Sequence, residues 1–263
     1  MTRALIVALG LVASATSAIA ADMPLKAAPQ PAAPVYNWTG CYLGAGGGYG
    51  MFNQDNTFVT DPIFGPSIVD SGRVTGGGRG WFGTVGGGCD YQISERWVIG
   101  AFADYDFSDI HGQLALPGLD FTGTEKQRSA WAVGGRIGYL ITPSVLTYFS
   151  GGFTQARFSS TALVFGLLPQ TPVGAHLQGR TFDGWFVGGG YEYNLGGILG
   201  WFPNLFWKTE YRFAQYDREF LAIVDDLSGL HFDDGVSTRK LVQTVRTELV
   251  WRFNWGGPVR AAY

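Results

Sequence analysis

The sequence predicts an all-β fold, an eight-stranded antiparallel transmembrane β-barrel with short periplasmic turns and long outer loops. Three observations predict it. Apolar and aromatic residues alternate with small or polar residues at a period of two, the connections between these segments are short and long in turn, and tryptophans gather at the segment ends. The composition agrees, because 40 Gly, 12 Tyr, 19 Phe and 9 Trp occur in 263 residues of which only 15% are charged.

The N-terminus has the pattern of a secretory signal peptide over residues 1–20. Arg3 supplies a positive charge, an apolar stretch too short to span a bilayer follows, and Ala18 and Ala20 fit the small-residue rule for cleavage. Residues 21–36 are rich in Ala and Pro and predict an extended periplasmic linker. The barrel is therefore expected over residues 37–263, in a protein exported to the outer membrane of a Gram-negative bacterium.

Eight segments alternate strongly enough to predict strands of about 9–11 residues or slightly more, the length of a tilted membrane strand. They are Trp38–Gly50, Gly80–Ile93, Trp97–Ser108, Arg128–Ile141, Val145–Gln155, Phe182–Tyr193, Leu205–Tyr216 and Val242–Trp255. The short connections are Ser94–Arg96, Thr142–Ser144 and Asn194–Asn204. The long connections, which we expect to be outer loops, are Met51–Arg79, Asp109–Gln127, Ala156–Thr181 and Asp217–Leu241.

The tryptophans lie near the ends of these segments. Indole rings prefer the headgroup level of a bilayer, so two belts of them mark its two surfaces. The sequence predicts aromatic girdles that contain Trp38, Trp81, Trp97, Trp131, Trp185, Trp207 and Trp251.

One face of the alternating segments is charged and the other is apolar. In a water-soluble protein the apolar face would be the core, but its wealth of aromatic residues favours contact with lipid, so the charges are expected to point into the barrel. The predicted lumenal network contains Asp104, Arg136, Glu192, Lys208, Glu210, Arg212, Arg246 and Arg252. The same alternation places Asp106, Arg128 and Glu248 on the inward face.

Short motifs in order along the chain resemble a known family. They include Tyr36–Gly50 with its Gly-rich run, Gly135–Tyr139, Gly188–Tyr193 and Lys208–Tyr211. In this combination the chain resembles the proteobacterial outer-membrane β-barrels called outer membrane immunogenic proteins, which are similar to the OmpA transmembrane domain. Two departures stand out: Cys41 replaces the usual aromatic residue, and ten residues follow Phe253, so either Phe253 or Tyr263 is the terminal assembly signal.

The resemblance implies a structural or surface-exposed role in the outer membrane, with lipid, lipopolysaccharide and the barrel-assembly machinery as partners. Eight strands enclose a lumen about filled by side chains, which argues against a wide pore. A small-solute porin, loop-mediated ligand binding or adhesion, and a soluble lipocalin-like carrier remain the alternatives. The net charge of −3 without a basic block disfavours nucleic acid.

No catalytic residue, cofactor or metal is predicted. His111, His176 and His231 all fall in expected outer loops, where solvated side chains are the favoured interpretation. A catalytic or metal site at the outer rim is the alternative, and the acidic pairs at 225–226 and 233–234 do not have calcium-loop spacing.

Cys41 and Cys89 are the two cysteines of the chain, and the periplasm is oxidising. Both have the phase of the lipid face, near the periplasmic ends of adjacent strands. We expect a disulfide between them, and two unbridged thiols facing lipid are the alternative.

Overall fold

A computed structural model describes residues 36–60, 69–116, 121–166 and 171–254. The expected signal peptide, nearly all of the linker, Trp255 and Tyr263 lie outside these residues. The strands are β1 Gly40–Thr60, β2 Val69–Gln92, β3 Trp97–Ala115, β4 Phe121–Thr142, β5 Val145–Phe158, β6 Thr161–Phe165, β7 Pro172–Leu177, β8 Thr181–Asn194, β9 Leu205–Tyr216, β10 Glu219–Asp225 and β11 His231–Asn254. One short helix, α1, spans Gly196–Leu199. Within the described ranges, no helix combines the length and the apolar character needed to cross a membrane.

Eight of the strands close into a ring, as predicted. The order is β1-β2-β3-β4-β5-β8-β9-β11, and β11 returns to pair with β1 from Gly40↔Asn254 upward. Every neighbouring pair is antiparallel. Closure leaves no unpaired edge in the ring, which is the condition for strands to cross a bilayer.

The wall continues well beyond the eight predicted segments, so the expected long loops were wrong in large part. β1, β2, β3, β4 and β11 all extend outward, because inward alternation persists: Phe52, Gln54, Asn56 and Phe58 are all buried on β1. On the remaining side, β6, β7 and β10 stand above β5, β8 and β9 and complete a second ring through the β4–β6 and β10–β11 pairings. The outer part of the molecule is thus largely strand.

The two faces of the wall follow the alternation. Side chains such as Arg246 and Glu192 are at most 2% exposed inside the ring, whereas Phe149 and Trp81 on the outward face are 77% and 70% exposed. One residue departs from the predicted phase. A bulge between Gln127 and Ser129 shifts the register of β4 against β5, so Arg128 points outward and is exposed, which corrects its inward assignment.

Six of the seven predicted girdle tryptophans are on the outward face. Trp81, Trp131 and Trp185 lie toward the outer end, and Trp97, Trp207 and Trp251 toward the end that holds the short turns. Edge-on or tilted rings accompany several of them, such as Tyr49 beside Trp81 at 4.9 Å and Tyr139 beside Trp97 at 5.2 Å. Indole and phenol rings at both boundaries are typical of a barrel seated in a bilayer.

Trp38 is the exception and corrects the girdle prediction. Its side chain is fully buried at the mouth of the barrel, and its Nε1 donates a hydrogen bond to the carbonyl oxygen of Pro143 at 3.2 Å. The reason is phase: Trp38 shares the even-numbered, inward-facing positions with Tyr42, so closeness to a strand end did not decide its orientation.

Candidate functional site

The barrel interior is the site that the predicted charged residues build. All eight predicted residues are buried there, and none is more than 8% exposed: Asp104, Arg136, Glu192, Lys208, Glu210, Arg212, Arg246 and Arg252. The structure adds Asp90, Glu125 and Lys240, and it places Asp106 and Glu248 inward as their phase indicated. These side chains form layers stacked along the barrel.

The lowest layer is a four-membered ion network, which we call the basal quartet, of Asp90, Arg136, Glu192 and Arg252. Arg136 Nε donates to Asp90 Oδ1 at 2.8 Å, and its Nη2 makes a second, very short contact with the same carboxylate. Arg252 Nε donates to Glu192 Oε1 at 2.6 Å, and Arg252 Nη1 lies 2.8 Å from Asp90 Oδ2. Arg136 Nη1 closes the ring on Glu192 at 3.3 Å. Two positive and two negative groups therefore balance each other out of contact with water.

Aromatic rings complete this layer. The Arg136 guanidinium lies 4.6 Å from the Tyr42 ring centroid, and that of Arg252 lies 4.6 Å from the Trp38 centroid and 5.3 Å from the Phe206 centroid. Stacking of this kind adds attraction between the cation and the π-face. Trp38 and Phe206 thereby cover the charges at the end of the barrel that holds the short turns.

Glycines make room for these large groups. A Cβ at Gly100 would lie 2.0 Å from Asp90 Oδ1, and one at Gly88 would lie 2.7 Å from the Tyr42 hydroxyl oxygen. Any larger residue there would displace a member of the network. At Gly100 and Gly88, the lack of a Cβ thus leaves the space that Asp90 and Tyr42 occupy.

The middle of the lumen holds two further groups of ion pairs. Lys208 Nζ donates to Glu248 Oε1 at 3.1 Å, while Glu210 accepts from Arg212 at 2.8 Å and from the Tyr148 hydroxyl at 2.9 Å. Each carboxylate faces a cation from a neighbouring strand or from its own strand. The layer is consequently cross-linked in several directions.

Arg212 and Arg246 carry the network further outward. Arg212 binds both oxygens of Asp104, at 2.9 and 2.7 Å, and Arg246 binds Asp106 at 2.9 Å and Asp104 at 3.2 Å. Above them lies a cavity of about 20 Å³ that is also lined by Gln127. That volume holds about one water molecule.

A final ion pair closes the outer half. Lys240 Nζ, which is inaccessible to solvent, donates to both oxygens of Glu125 at 2.8 and 2.7 Å and makes a very short contact with Gln54. The rings of Phe158 and Phe182 lie 4.3 and 5.1 Å from the same nitrogen. We call Lys240, Glu125 and Gln54 the outer clamp. It was missed in the sequence because its residues fall in expected loops, although Lys240 continues the inward phase of Val236, Thr238 and Val242.

The buried ion pairs join six basic to seven acidic side chains. Each of these side chains faces at least one opposite charge, which favours pairing within the lumen over attraction of a permeating ion. Such a network ties the strands together across the barrel, and its members are held in place by bidentate contacts. Chemically it is suited to sealing and bracing the wall.

The histidines are outside the lumen and on separate elements. His111 lies on β3, with its Nδ1 3.8 Å from Asp109, and His176 on β7 contacts Asp226 at 2.6 Å. His231 begins β11. All three are therefore on strands, which corrects their assignment to loops. Within the described ranges, no three His, Cys, Asp or Glu side chains are grouped so as to hold a metal ion.

Cys41 and Cys89 face each other directly in the β1–β2 register and form a disulfide, with their Cα atoms 3.9 Å apart. Both are on the outward face near the periplasmic end of the strands. The bridge links residues separated by 48 positions in the sequence. It pins the base of the β1–β2 hairpin.

A closed eight-stranded ring with an apolar, aromatic-girdled exterior and an ion-paired interior defines a transmembrane β-barrel. The family model described as outer membrane protein beta-barrel domain matches residues 7–253, so this chain belongs to that family of outer-membrane β-barrel proteins. The resemblance inferred from the sequence motifs is confirmed.

A curated relative is the 31 kDa outer-membrane immunogenic protein of Brucella melitensis, which is 29% identical over 218 residues that cover 81% of this chain and 86% of the relative. Among solved structures, OprG of Pseudomonas aeruginosa is similar at 12% identity and a TM-score of 0.49, covering 82% of this chain and 98% of OprG. The outer membrane protease OmpT of Escherichia coli is similar at 10% identity and a TM-score of 0.38, covering 81% of this chain and 97% of OmpT.

Proposed function

We propose that this chain is a non-conducting structural barrel of the outer membrane that braces the envelope and displays its outer strands at the cell surface. The observation that carries the proposal is the filled lumen, in which the basal quartet, the central ion pairs and the outer clamp follow one another along the axis. A barrel with a structural role needs a rigid wall, and the ion pairs across the lumen make the wall rigid by connecting its strands. A diffusion pore needs an open path, and the stacked ion pairs of the described residues argue against one.

The proposal includes export through the signal peptide of residues 1–20, with residues 21–36 as a periplasmic linker and the barrel from residue 37 onward. The name of the Brucella relative, an immunogenic outer-membrane protein, supports the display of the outer strands to the surroundings. Assembly by the barrel-assembly machinery, and contact with outer-leaflet lipid and lipopolysaccharide, follow from that location. A small-solute porin and a loop-mediated adhesin are the alternatives that experiments must separate from it.

Planar-bilayer recording tests the sealed lumen. We expect the purified barrel to insert without forming stable channels, because Arg136, Arg212 and Lys240 are all held by buried carboxylates across the path. Heat-dependent migration of the same sample on a gel verifies that the inserted protein is folded. Large, stable, porin-like conductance from folded protein would replace this proposal with the porin.

A second prediction concerns the histidines, for which we propose no catalytic role. Replacing His111, His176 and His231 together by alanine is expected to leave folding and the acylation of lipid A unchanged, because all three lie outside the lumen, on β3, β7 and β11. Mass spectrometry of lipid A from cells that carry either protein makes the comparison. Acylation that changes with the triple variant would assign an enzymatic activity instead.

A further inference from the structure

A row of basic side chains lies on the outward face of β2 to β5, just beyond the outer tryptophans. Arg79 is two residues outward from Trp81 on β2, and the bulged Arg128 is three residues outward from Trp131 on β4. His111 lies on β3, Lys126 lies on β4 with Arg128, and Arg157 lies on β5. We call these five residues the basic row.

The strand register makes the row continuous. Arg79 pairs with His111, and His111 pairs with Lys126. Arg157 stands opposite Ser129, so it is a neighbour of the bulged Arg128 across the β4–β5 pair. Four adjacent strands therefore present cations side by side.

Three of these cations have no counter-charge among the described residues. Lys126 Nζ binds Asp109 at 2.6 Å, and His111 Nδ1 lies 3.8 Å from the same carboxylate. Over the described ranges, Arg79, Arg128 and Arg157 are exposed and take part in no ion pair, in contrast to the buried cations of the lumen. Like charges on neighbouring strands repel one another, so an arrangement of this kind is stabilised when an anion lies between them.

The position of the basic row along the bilayer normal indicates which anion could lie between the arginines. Two residues of strand advance about 6.6 Å, and tilt reduces this along the bilayer normal, so Arg79 lies just outside the level of the Trp81 indole. Indole rings mark the headgroup boundary, and the phosphates of the outer leaflet lie at that boundary. Basic side chains near a bilayer surface attract anionic headgroups.

The strands that follow β5 in the ring, β8 and β9, differ at the same level. There the outward positions include Asp183 on β8 and Asp217 after β9, both exposed. Asp183 accepts a hydrogen bond from Gln155 at 2.6 Å. Exposed basic side chains also occur elsewhere, at Arg180, Arg218 and Arg239, but on β2–β5 they are register neighbours, which favours one oriented ligand on that face over a uniform shell of lipid.

We propose that the basic row is a binding site for the phosphate groups of an outer-leaflet glycolipid, with Arg79, Arg128 and Arg157 as the phosphate-binding residues. The proposal rests on the outer-membrane location proposed above. Arginine suits this role because its planar fork of donors matches two phosphate oxygens at once. The acyl chains of the same lipid would lie along the apolar wall below, beside Trp131 and Phe153, whose rings are 5.5 Å apart.

The test uses the full mature barrel in phosphatidylcholine nanodiscs with lipid A that carries both phosphates as the probe. The triple variant Arg79→Gln/Arg128→Gln/Arg157→Gln is expected to bind lipid A at least about tenfold more weakly than wild type, given roughly a factor of several per basic residue at a bilayer surface. The matched control is Arg73→Gln/Arg180→Gln/Arg218→Gln, which removes the same charge from exposed arginines that have partners in Asp55, Glu219 and Ser237. We expect the control to bind like wild type.

Two further arms identify the source of the phosphate. Dephosphorylated lipid A should bind wild type and the triple variant equally weakly, and inorganic phosphate should not displace lipid A at matched concentration. Equal losses in both triple variants, or displacement by inorganic phosphate, would overturn the proposal. Sucrose-gradient fractionation of cells keeps the two proposals distinct, because wild type found outside the outer membrane would refute the location, whereas unchanged lipid A binding by a correctly located variant would refute only the basic row.

Discussion

Replacing Glu192 with alanine is expected to destabilise the folded barrel by about 3–5 kcal/mol, the range seen when one partner of a buried ion pair is removed. Glu192 is fully buried and accepts from Arg252 at 2.6 Å and from Arg136 at 3.3 Å. Without it, two arginines share the single carboxylate of Asp90, and a net positive charge remains out of contact with solvent. The loss comes mainly from that uncompensated charge.

The measurement is urea unfolding of barrels inserted in lipid vesicles, followed by tryptophan fluorescence and by heat-dependent migration on a gel. The matched control is Asp183→Ala, which removes an exposed carboxylate from the same strand and should change stability by no more than about 0.5 kcal/mol. A second variant separates charge imbalance from lost packing. In Glu192→Met/Arg252→Met the remaining Asp90 and Arg136 neutralise each other, so we expect recovery of a large part of the lost stability. If Glu192→Ala unfolded at the same urea concentration as wild type, the structural role of the basal quartet would be contradicted.

Strand alternation was sufficient to predict the ring and most of the lumen. Arg246 and Glu248 on β11, and Lys208 and Glu210 on β9, could be assigned inward because a period of two leaves no other choice once one face is apolar. Asp90 was within reach of the same reasoning, since it continues the inward phase of Phe82 and Thr84 on β2. The segment contains few other charges, so its charged face is less evident than those of β9 and β11.

Three features of the structure could not be predicted from the tryptophan positions or the residue alternation within single segments. The closeness of Trp38 to a strand end predicts a girdle position, whereas its phase with Tyr42 indicates the interior. The outward turn of Arg128 follows from a bulge, which depends on pairing between β4 and β5 and has no signal in either strand alone. The β4–β6 and β7–β10 pairings join segments far apart in the sequence, so the outer ring and the position of Glu125 beside Lys240 could not be derived from either segment separately.

Breaking the disulfide is expected to give the second large loss of stability. The bridge between Cys41 and Cys89 spans 48 positions, and cross-links of that loop size stabilise by about 2–4 kcal/mol, chiefly by restricting the unfolded chain. In the folded barrel the two residues remain neighbours through the β1–β2 register, flanked by the Tyr42↔Gly88 and Gly40↔Asp90 pairs. Asp90 belongs to the basal quartet, so the bridge also secures the strand segment that carries this carboxylate.

The variant Cys41→Ala/Cys89→Ala should therefore unfold at lower urea than wild type while keeping its native heat-dependent gel shift, because the paired strands and the basal quartet remain. Reducing agent should lower the unfolding midpoint of wild type toward that of the double variant and leave the double variant unaffected, which separates the bridge from other effects of the reductant. Mass spectrometry under non-reducing conditions counts the thiols directly. Two free thiols in folded wild-type protein, or equal midpoints for wild type and the double variant, would mean that the β1–β2 hairpin is held by its strand pairing alone.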